Sequence, residues 1–405
     1  MGWLGLDDTD HLGGGCTTQA MWRLLASLPS SVTVRELRLV RLWPLAPGRT
    51  RGNAAVAVEL VSNDVEALLA HLDDHWAAYL LPLSGAVEAS HHSDREQQPA
   101  DPGMVWFDQP PSSALYWRAV REHVPVAALP VADRAWGGLG RVGATAAIAW
   151  PADTVTYEAI AWREDGRSGP RRVDDAVMKD VDRMKGTFLT RDPRRGTALL
   201  APRGPSPVLF GVRAHDRDSA EHAATLLING PGTEPVDGWT VFATNQASGD
   251  HLGEDARSTV EGVDVHPARK HATVLTADGP WLAYAESGDV NRLARWLQAG
   301  DLVEGRGLVD ETGRRHLEAL RVVQHIPRGQ RRPMCGSCDV RLKSMGRGQG
   351  LRCPQCKERS EGRWDACTKP PPFEGWVEPP DGARRHLARP LAWDDRQHGT
   401  DHQKV

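Results

Sequence analysis

The sequence predicts a multidomain α+β protein, on three observations. About 255 residues at the start alternate short apolar runs of strand length with segments of helical spacing. Residues 258–326 change to short strands interrupted by one helix, and two C-x-x-C pairs, Cys335 with Cys338 and Cys353 with Cys356, follow them. A chain of 405 residues is long enough for two to four domains, each with its own core.

The first element is a buried strand, Trp3 to Leu6, and at its far end stand Asp7, Asp8 and Asp10. Three carboxylates within four residues repel one another unless a cation lies between them, and oxygen ligands of this kind suit Mg²⁺. The glycines Gly13, Gly14 and Gly15 then free the backbone, and Thr17 and Thr18 stand where a helix begins. Strand, acidic glycine-rich loop and helix start together make a cradle for a nucleotide phosphate with its own metal. An ordinary glycine-rich turn capped by Asp and Thr is the competing reading. No Lys follows the glycines as in a Walker loop, so basic groups for phosphoryl chemistry must come from elsewhere.

Strand patterns at 32–42 and 54–61 flank a turn in which Arg49, Arg51 and Asn53 supply phosphate donors, unless that turn is simply solvated. Helical spacing follows at 64–80 and 112–123. The adjacent His91 and His92 lie in a polar loop, where neighbouring side chains face different ways and do not form a metal pair. The glycine-rich run 136–143 serves either close helix packing or a ligand. A strand at 154–162, a helix at 174–184, strands at 187–188, 197–201 and 208–212, and a helix at 222–227 form an order compatible with a ferredoxin-like unit. The polar loop 242–252 is dense in hydrogen-bonding side chains, a place where substrates are read.

Short strands at 258–265, 271–276, 281–285, 302–308 and 316–324, with a helix at 290–299, follow the order of an OB-fold, which binds single-stranded nucleic acid. Another small barrel is the alternative. Cys335, Cys338, Cys353 and Cys356 have the spacing of a zinc ribbon, in which four thiolates saturate a structural Zn²⁺. The surroundings are basic, with Arg341, Lys343 and Arg347 among the charges, on a chain whose net charge is −4. A local positive patch on an acidic protein points to nucleic-acid contact. Beyond a proline-rich stretch, 383–391 reads as a short basic helix, and the last dozen residues read as disordered. Signal-peptide and bilayer-length apolar runs are missing from the sequence, so a soluble cytoplasmic protein with no membrane partner is expected.

These pieces together resemble the tRNA-Ile 2-agmatinylcytidine synthetase (TiaS) family. The resemblance is carried by Asp7-Asp8-Thr9-Asp10 with Gly15-Cys16-Thr17-Thr18, by Thr50-Arg51-Gly52-Asn53, and by Thr156-Tyr157-Glu158. Thr244-Asn245-Gln246 and the tail Arg385-His386-Leu387 add to it, while His11 and Gly15 depart from the usual Ser and Met. It implies a kinase-like α/β catalytic domain at 1–165, a ferredoxin-like domain at 166–255, an OB-fold at 256–327, a zinc ribbon at 328–368 and a tail at 369–405. It also implies ATP and Mg²⁺ at the acid loop, phosphorylation of Thr18, and tRNA-Ile with a CAU anticodon and agmatine as partners. Cytosine C2 would be activated by phosphoryl transfer before the amine displaces phosphate. Two other classes fit parts of the chain: a non-catalytic single-strand binder built on the OB-fold and ribbon, and an ATP-dependent ligase for small molecules. ATP consumption that requires tRNA separates the first reading from both.

Overall fold

Gly2 to Asp7 is apolar on both sides, as a strand in the middle of a covered sheet must be. The computed structural model describes residues 1–10, 15–46, 52–85, 99–202, 204–367 and 369–393, and there this stretch is β1 (Gly2–Asp7). It is followed by α1 (Thr17–Ser27), β2 (Thr33–Arg41), β3 (Ala54–Val61), α2 (Val65–His75), β4 (Gly103–Phe107), α3 (Ala114–Ala119), β5 (Arg134–Gly137), α4 (Gly140–Ile148) and β6 (Thr156–Arg163). Then come α5 (Asp175–Arg183), a small hairpin of β7 (Arg191–Asp192) and β8 (Thr197–Ala198), β9 (Val208–Ala214), α6 (Arg217–Asn229) and β10 (Val236–Thr244). Gly13, Gly14, Arg49, Arg51, His91 and His92 lie outside the described residues.

The strands form one eight-stranded sheet in the order β5-β4-β1-β3-β2-β10-β6-β9. Only the central β2–β10 pairing is parallel. The domain boundary expected near 165 falls just after β6, yet β6 pairs with β10 and β9 in the same sheet. Along β6 the side chains alternate, with Ile160 and Trp162 in the core under α1 and α2 while Ala159 and Ala161 pack with α6. Trp162 is fully buried, and removing such a side chain costs about 3–5 kcal/mol.

On the face opposite α1, α4 lies unusually close to β1. A Cβ on Gly5 would sit 2.4 Å from the Ala144 carbonyl oxygen, and one on Gly103 would sit 1.9 Å from the Arg141 nitrogen. Within the glycine-rich run 136–143, a Cβ on Gly140 would sit 2.4 Å from the Gly103 nitrogen, so part of the run serves close packing, one of its two sequence readings.

A second unit, residues 254–379, contains a closed barrel. Its elements are β11 (Ala256–Val265), β12 (Ala272–Thr276), β13 (Gly279–Ala283), α7 (Asp289–Ala294), β14 (Leu302–Val309) and β15 (Arg315–Gln324), closing in the order β11-β12-β13-β15-β14. Every strand and the helix expected between 258 and 324 is there, around a core that includes Trp281, Val303 and Leu320. Beyond it lie β16 (Gly329–Arg331), β17 (Lys343–Ser344), β18 (Leu351–Arg352), β19 (Arg359–Ser360) and β20 (Asp365–Cys367), with β17-β18-β19 and β16-β20 as two small sheets.

Residues 380–393 belong again to the first unit. The basic helix expected over 383–391 does not form. Single 3-10 turns, Asp381–Ala383 and Leu391–Trp393, flank an open stretch whose carbonyls serve other donors: His386 O accepts from Ala247 N at 2.8 Å and Leu387 O from Gly249 N at 2.8 Å. Leu387 is buried in the core, which rewards this docking more than an isolated short helix would be. The last dozen residues, 394–405, lie outside the described residues.

Gly5→Ala should destabilise the first unit by about 1–3 kcal/mol through overpacking against α4, read as a lower urea midpoint. An unchanged midpoint would show that the β1–α4 contact is loose.

Candidate active site and metal centre

Asp7 closes β1 and begins the acid loop. Its Oδ1 accepts the Asp8 N–H at 2.7 Å, and Asp8 Oδ2 accepts the Asp101 N–H at 3.0 Å. Asp101 in turn accepts the Leu139 N–H at 2.7 Å, which ties the loop to the start of α4. Asp8 has φ 58°, a left-handed conformation that Asp tolerates better than most side chains. A Cβ on Gly143 would lie 1.8 Å from Asp7 Oδ2, so the same glycines that seat α4 also make room for the carboxylate. Burial and the neighbouring Asp8 and Asp10 push the Asp7 carboxyl well up, and burial pushes Asp8 up to about 6.

Across the loop, Cys16 is the N-cap of α1 without a side-chain cap bond. Thr17 and Thr18 are buried at the first turn. Thr9 Oγ1 donates to Thr17 Oγ1 at 3.2 Å, and Trp162 Nε1 donates to Thr18 Oγ1 at 3.3 Å. Asp7, Asp8, Asp10, Thr17 and Thr18 all line one cavity of about 1260 Å³. Asn53 lines it too, but its amide nitrogen donates to Trp43 O at 2.7 Å and holds the turn before β3.

The opposite wall of this cavity supplies the basic groups that the acid loop lacks. Arg41 ends β2, Glu158 lies in β6, Arg213 lies in β9, and His386 comes from the returning tail. Arg41 Nη2 is 3.3 Å from Glu158 Oε2 and Arg213 Nε is 3.9 Å from Glu158 Oε1. Gln246 Nε2 also donates to Glu158 Oε2. One carboxylate thus faces two guanidinium groups. The Nε atoms of Arg41 and Arg213 are buried with no hydrogen-bond acceptor among the described residues, Arg213 Nε having only the longer ion pair to Glu158, so the two guanidinium groups are incompletely satisfied. Behind them Asn245 clamps the Arg41 backbone through both its N–H and its C=O and donates to Tyr116 Oη at 2.9 Å, fixing the end of β2.

Sequence reasoning assigned no role to Arg41, Glu158, Arg213 or His386, which come from four elements far apart in the chain. A signal was present: Glu158 and Arg213 are charged residues inside apolar strand runs, where a buried charge needs a purpose.

In the second unit the four expected cysteines converge, their sulfur atoms all within 4.8 Å of one another. The two knuckles are alike. Cys335 N donates to Val340 O and Cys353 N to Glu358 O, both at 2.9 Å, and Asp339 and Lys357, each following a second cysteine, have φ 51° and 67°. Gln355 N and Cys356 N point at Cys353 Sγ at 3.3 and 3.4 Å. This donor set fits a structural Zn²⁺. Among the described residues no other set of His, Cys, Asp or Glu gathers its ligand atoms so closely, so the acid loop is an open set of carboxylates and not a closed metal cage. Arg341, Lys343 and Arg347 are exposed on this module.

Three family models match the chain: the TiaS TCKD domain over residues 3–66, the TiaS FLD domain over 138–251, and the TiaS C-terminal zinc ribbon domain over 332–368. The isoleucine-tRNA 2-agmatinylcytidine synthetase TiaS of Methanosarcina mazei is 30% identical over 97% of this chain and 98% of its own. That of Methanopyrus kandleri is 32% identical over 96% of each. The crystal structure of apo TiaS superposes with a TM-score of 0.78 at 25% identity, covering 97% of this chain and 98% of the other. The complex of TiaS with an isoleucine tRNA and ATP does so with 0.77 at 26% identity, covering 97% of each.

Two outcomes follow from this geometry. Asp8 has a folded-state pKa above its unfolded one, so its stability contribution is full below about pH 4 and lost as pH rises through about 6. Without divalent cations, Asp8→Asn should therefore exceed the parent in melting temperature by a margin that grows between about pH 4 and pH 7. A constant margin would mean the carboxyl is not strained by burial. Cys338→Ser should lose stoichiometric zinc and unfold the ribbon, because such sites supply roughly 10 kcal/mol of folding free energy, while the first unit keeps its melting transition. Stoichiometric zinc in that variant, measured by metal analysis, would disprove four-thiolate ligation.

Proposed function

This chain belongs to the tRNA-Ile 2-agmatinylcytidine synthetase (TiaS) family, and on that premise we propose that it joins agmatine to cytosine C2 of the wobble cytidine in tRNA-Ile, using ATP. The observation that carries this reading is one cavity with the acid loop and Thr18 on one wall and Arg41 and Arg213 on the other. Phosphoryl transfer needs a cation to bridge phosphates and donors for the charge that develops, and those two requirements fall on opposite walls.

Asp7, Asp8 and Asp10 hold Mg²⁺ in this reading. A closed cage is not needed, since Mg²⁺ is usually held by one or two carboxylates together with substrate phosphates and water. The metal supplies charge neutralisation at the transferred phosphoryl group. Thr18, at the first turn of α1, takes the position beside the γ-phosphate, and Gly13 to Gly15 with Thr17, Arg49, Arg51 and Asn53 complete the nucleotide side. The C2 oxygen of cytosine is a poor leaving group until it carries phosphate, after which the amine can displace it.

The domain assignment follows the same reading. The region to 165 is kinase-like and 166–255 ferredoxin-like, on a shared sheet. The barrel with α7 between its third and fourth strands supports an OB-fold at 256–327, and the ribbon at 328–368 offers Arg341, Lys343 and Arg347 to tRNA phosphates. Losing the ribbon in Cys338→Ser then weakens tRNA affinity as well.

With total tRNA, ATP and radiolabelled agmatine, label should enter RNA and ATP consumption should require tRNA. Asp8→Asn should lower this transfer on the order of 100-fold or more while tRNA binding persists. ATP turnover at full rate without tRNA would refute a tRNA-modifying role, and full activity of Asp8→Asn would refute the metal assignment.

A further inference from the structure

We propose that His386 is the base that takes a proton from the incoming amine when it displaces phosphate from cytosine C2. The inference rests on the reading of the cavity given above.

A primary alkyl amine resembles Lys, with a pKa of about 10.4, and near neutral pH it arrives as an ammonium that has no lone pair for attack. An acceptor must therefore stand in the cavity. Among the groups that line it and could accept a proton, Asp7, Asp8 and Asp10 are committed to the cation, Asp101 to the Leu139 N–H, Cys16 to Thr18 Oγ1 and Glu158 to two guanidinium groups, and Glu122 and His123 are exposed at the surface. His386 is half-buried and built in, its backbone pinned by the bonds to Ala247 and by the burial of Leu387.

Two contacts bear on its tautomer. Gln246 spends its amide N–H on Glu158, which turns Gln246 Oε1 toward His386 Nδ1 at 3.3 Å. In the tautomer that donates from Nδ1 to this carboxamide oxygen, Nε2 keeps its lone pair, and this is the form proposed as the base. Arg213 Nη2, which can only donate, lies at the same distance from Nδ1 and competes for it. Nε2 makes no hydrogen bond among the described residues. Glu158, Gln246 and His386 thus form a relay that orients an imidazole base, the logic by which a buried carboxylate orients a catalytic histidine.

The charges facing the ring are Arg41 from β2 and Arg213 from β9, with Glu158 from β6 behind Gln246. On its own segment, Arg384 is paired with Asp381 at 3.1 Å, and Arg385 is the adjacent residue. The two guanidinium groups, with burial, hold the imidazole well below its ordinary pKa, so it is unprotonated at neutral pH when substrate arrives. Phosphate carried on the C2 oxygen would lie against a wall where two guanidinium groups share the one carboxylate of Glu158, and would offset their remaining charge. That raises the basicity of His386 at the moment it is needed.

In balanced form, an ammonium proton passes to His386 Nε2 and the freed nitrogen lone pair forms the N–C2 bond. The C2–O bond breaks and its electron pair leaves with phosphate. The second proton of the now C2-bound nitrogen goes to solvent, and the imidazolium returns its own proton to solvent or to the departing phosphate.

The test is His386→Asn, whose amide nitrogen can replace Nδ1–H toward Gln246 but offers nothing in place of Nε2. Two steps are measured: tRNA-dependent ATP consumption in the first turnover, and incorporation of amine into tRNA. We expect the first within a few-fold of the parent and incorporation of agmatine lowered on the order of 100-fold or more. The deficit should shrink at least ten-fold for an alkoxyamine, which is neutral at neutral pH and needs no base, and for agmatine as pH rises. An equal deficit for both amines, or loss of the ATP step with it, would overturn the assignment. If the parent joined neither amine to tRNA, the function proposed for the cavity would fall together with it.

Discussion

Separated like charge is the constraint on which the cavity depends. Asp7, Asp8 and Asp10 crowd one wall, and Arg41 and Arg213 crowd the other with a single carboxylate, Glu158, between them. Had the fold let the two sets pair directly, each would have been satisfied and neither would have had capacity for a ligand. Instead the acid wall carries carboxyls pushed above their ordinary range, and the basic wall carries two guanidinium groups that share one carboxylate and are incompletely hydrogen-bonded. Both are states that a polyanion with a divalent cation relieves, the cation on one side and the anionic oxygens on the other.

Holding that charge apart requires rigid backbone on each wall. On the acid side, rigidity comes from the tight seat of α4 on β1, where Gly5, Gly103 and Gly140 leave no space for a Cβ and Asp101 links the loop to the helix start. On the basic side it comes from Asn245, which uses its side chain like a neighbouring strand to hold Arg41, with Tyr116 and Asp250 behind it at 2.5 Å. Burial and that neighbouring carboxylate keep the Tyr116 phenol protonated as the donor in the chain. These are packing and hydrogen-bond constraints between elements that are remote in sequence.

That remoteness explains what the sequence disclosed. The acid loop was legible because its three aspartates are contiguous, and the four cysteines because ribbon ligands come in fixed local pairs. The barrel strands were legible from period-two patterning, and α1 begins at Thr17, where the loop ends. Strands β4, β5 and β10 were not assigned. Gly103–Phe107 is buried on both faces and shows no alternation, and Val236–Thr244 runs directly into the polar loop that drew attention to itself. The single sheet shared across residue 165 depends on the parallel β2–β10 pairing, a non-local event that no local pattern encodes. Arg41 and Arg213 lie in no motif, and Glu158 and His386, which stand in motifs of the family resemblance, take a place in the site only when the fold gathers them.

The tail shows how late this gathering is completed. Gln246 and His386 meet across 140 residues, and the barrel and ribbon lie between them in the sequence. The entropy of closing a flexible loop grows only with the logarithm of its length, and an intervening unit that folds first removes most of the flexible chain from that loop. The penalty for placing a site residue at the end of the chain is therefore modest, and the buried Leu387 with two backbone hydrogen bonds is a reasonable match for it. In exchange, the basic wall is finished only when the chain as far as His386, ribbon included, has been made. The charged cavity is then incomplete in any fragment that lacks this segment, however well its sheet has folded.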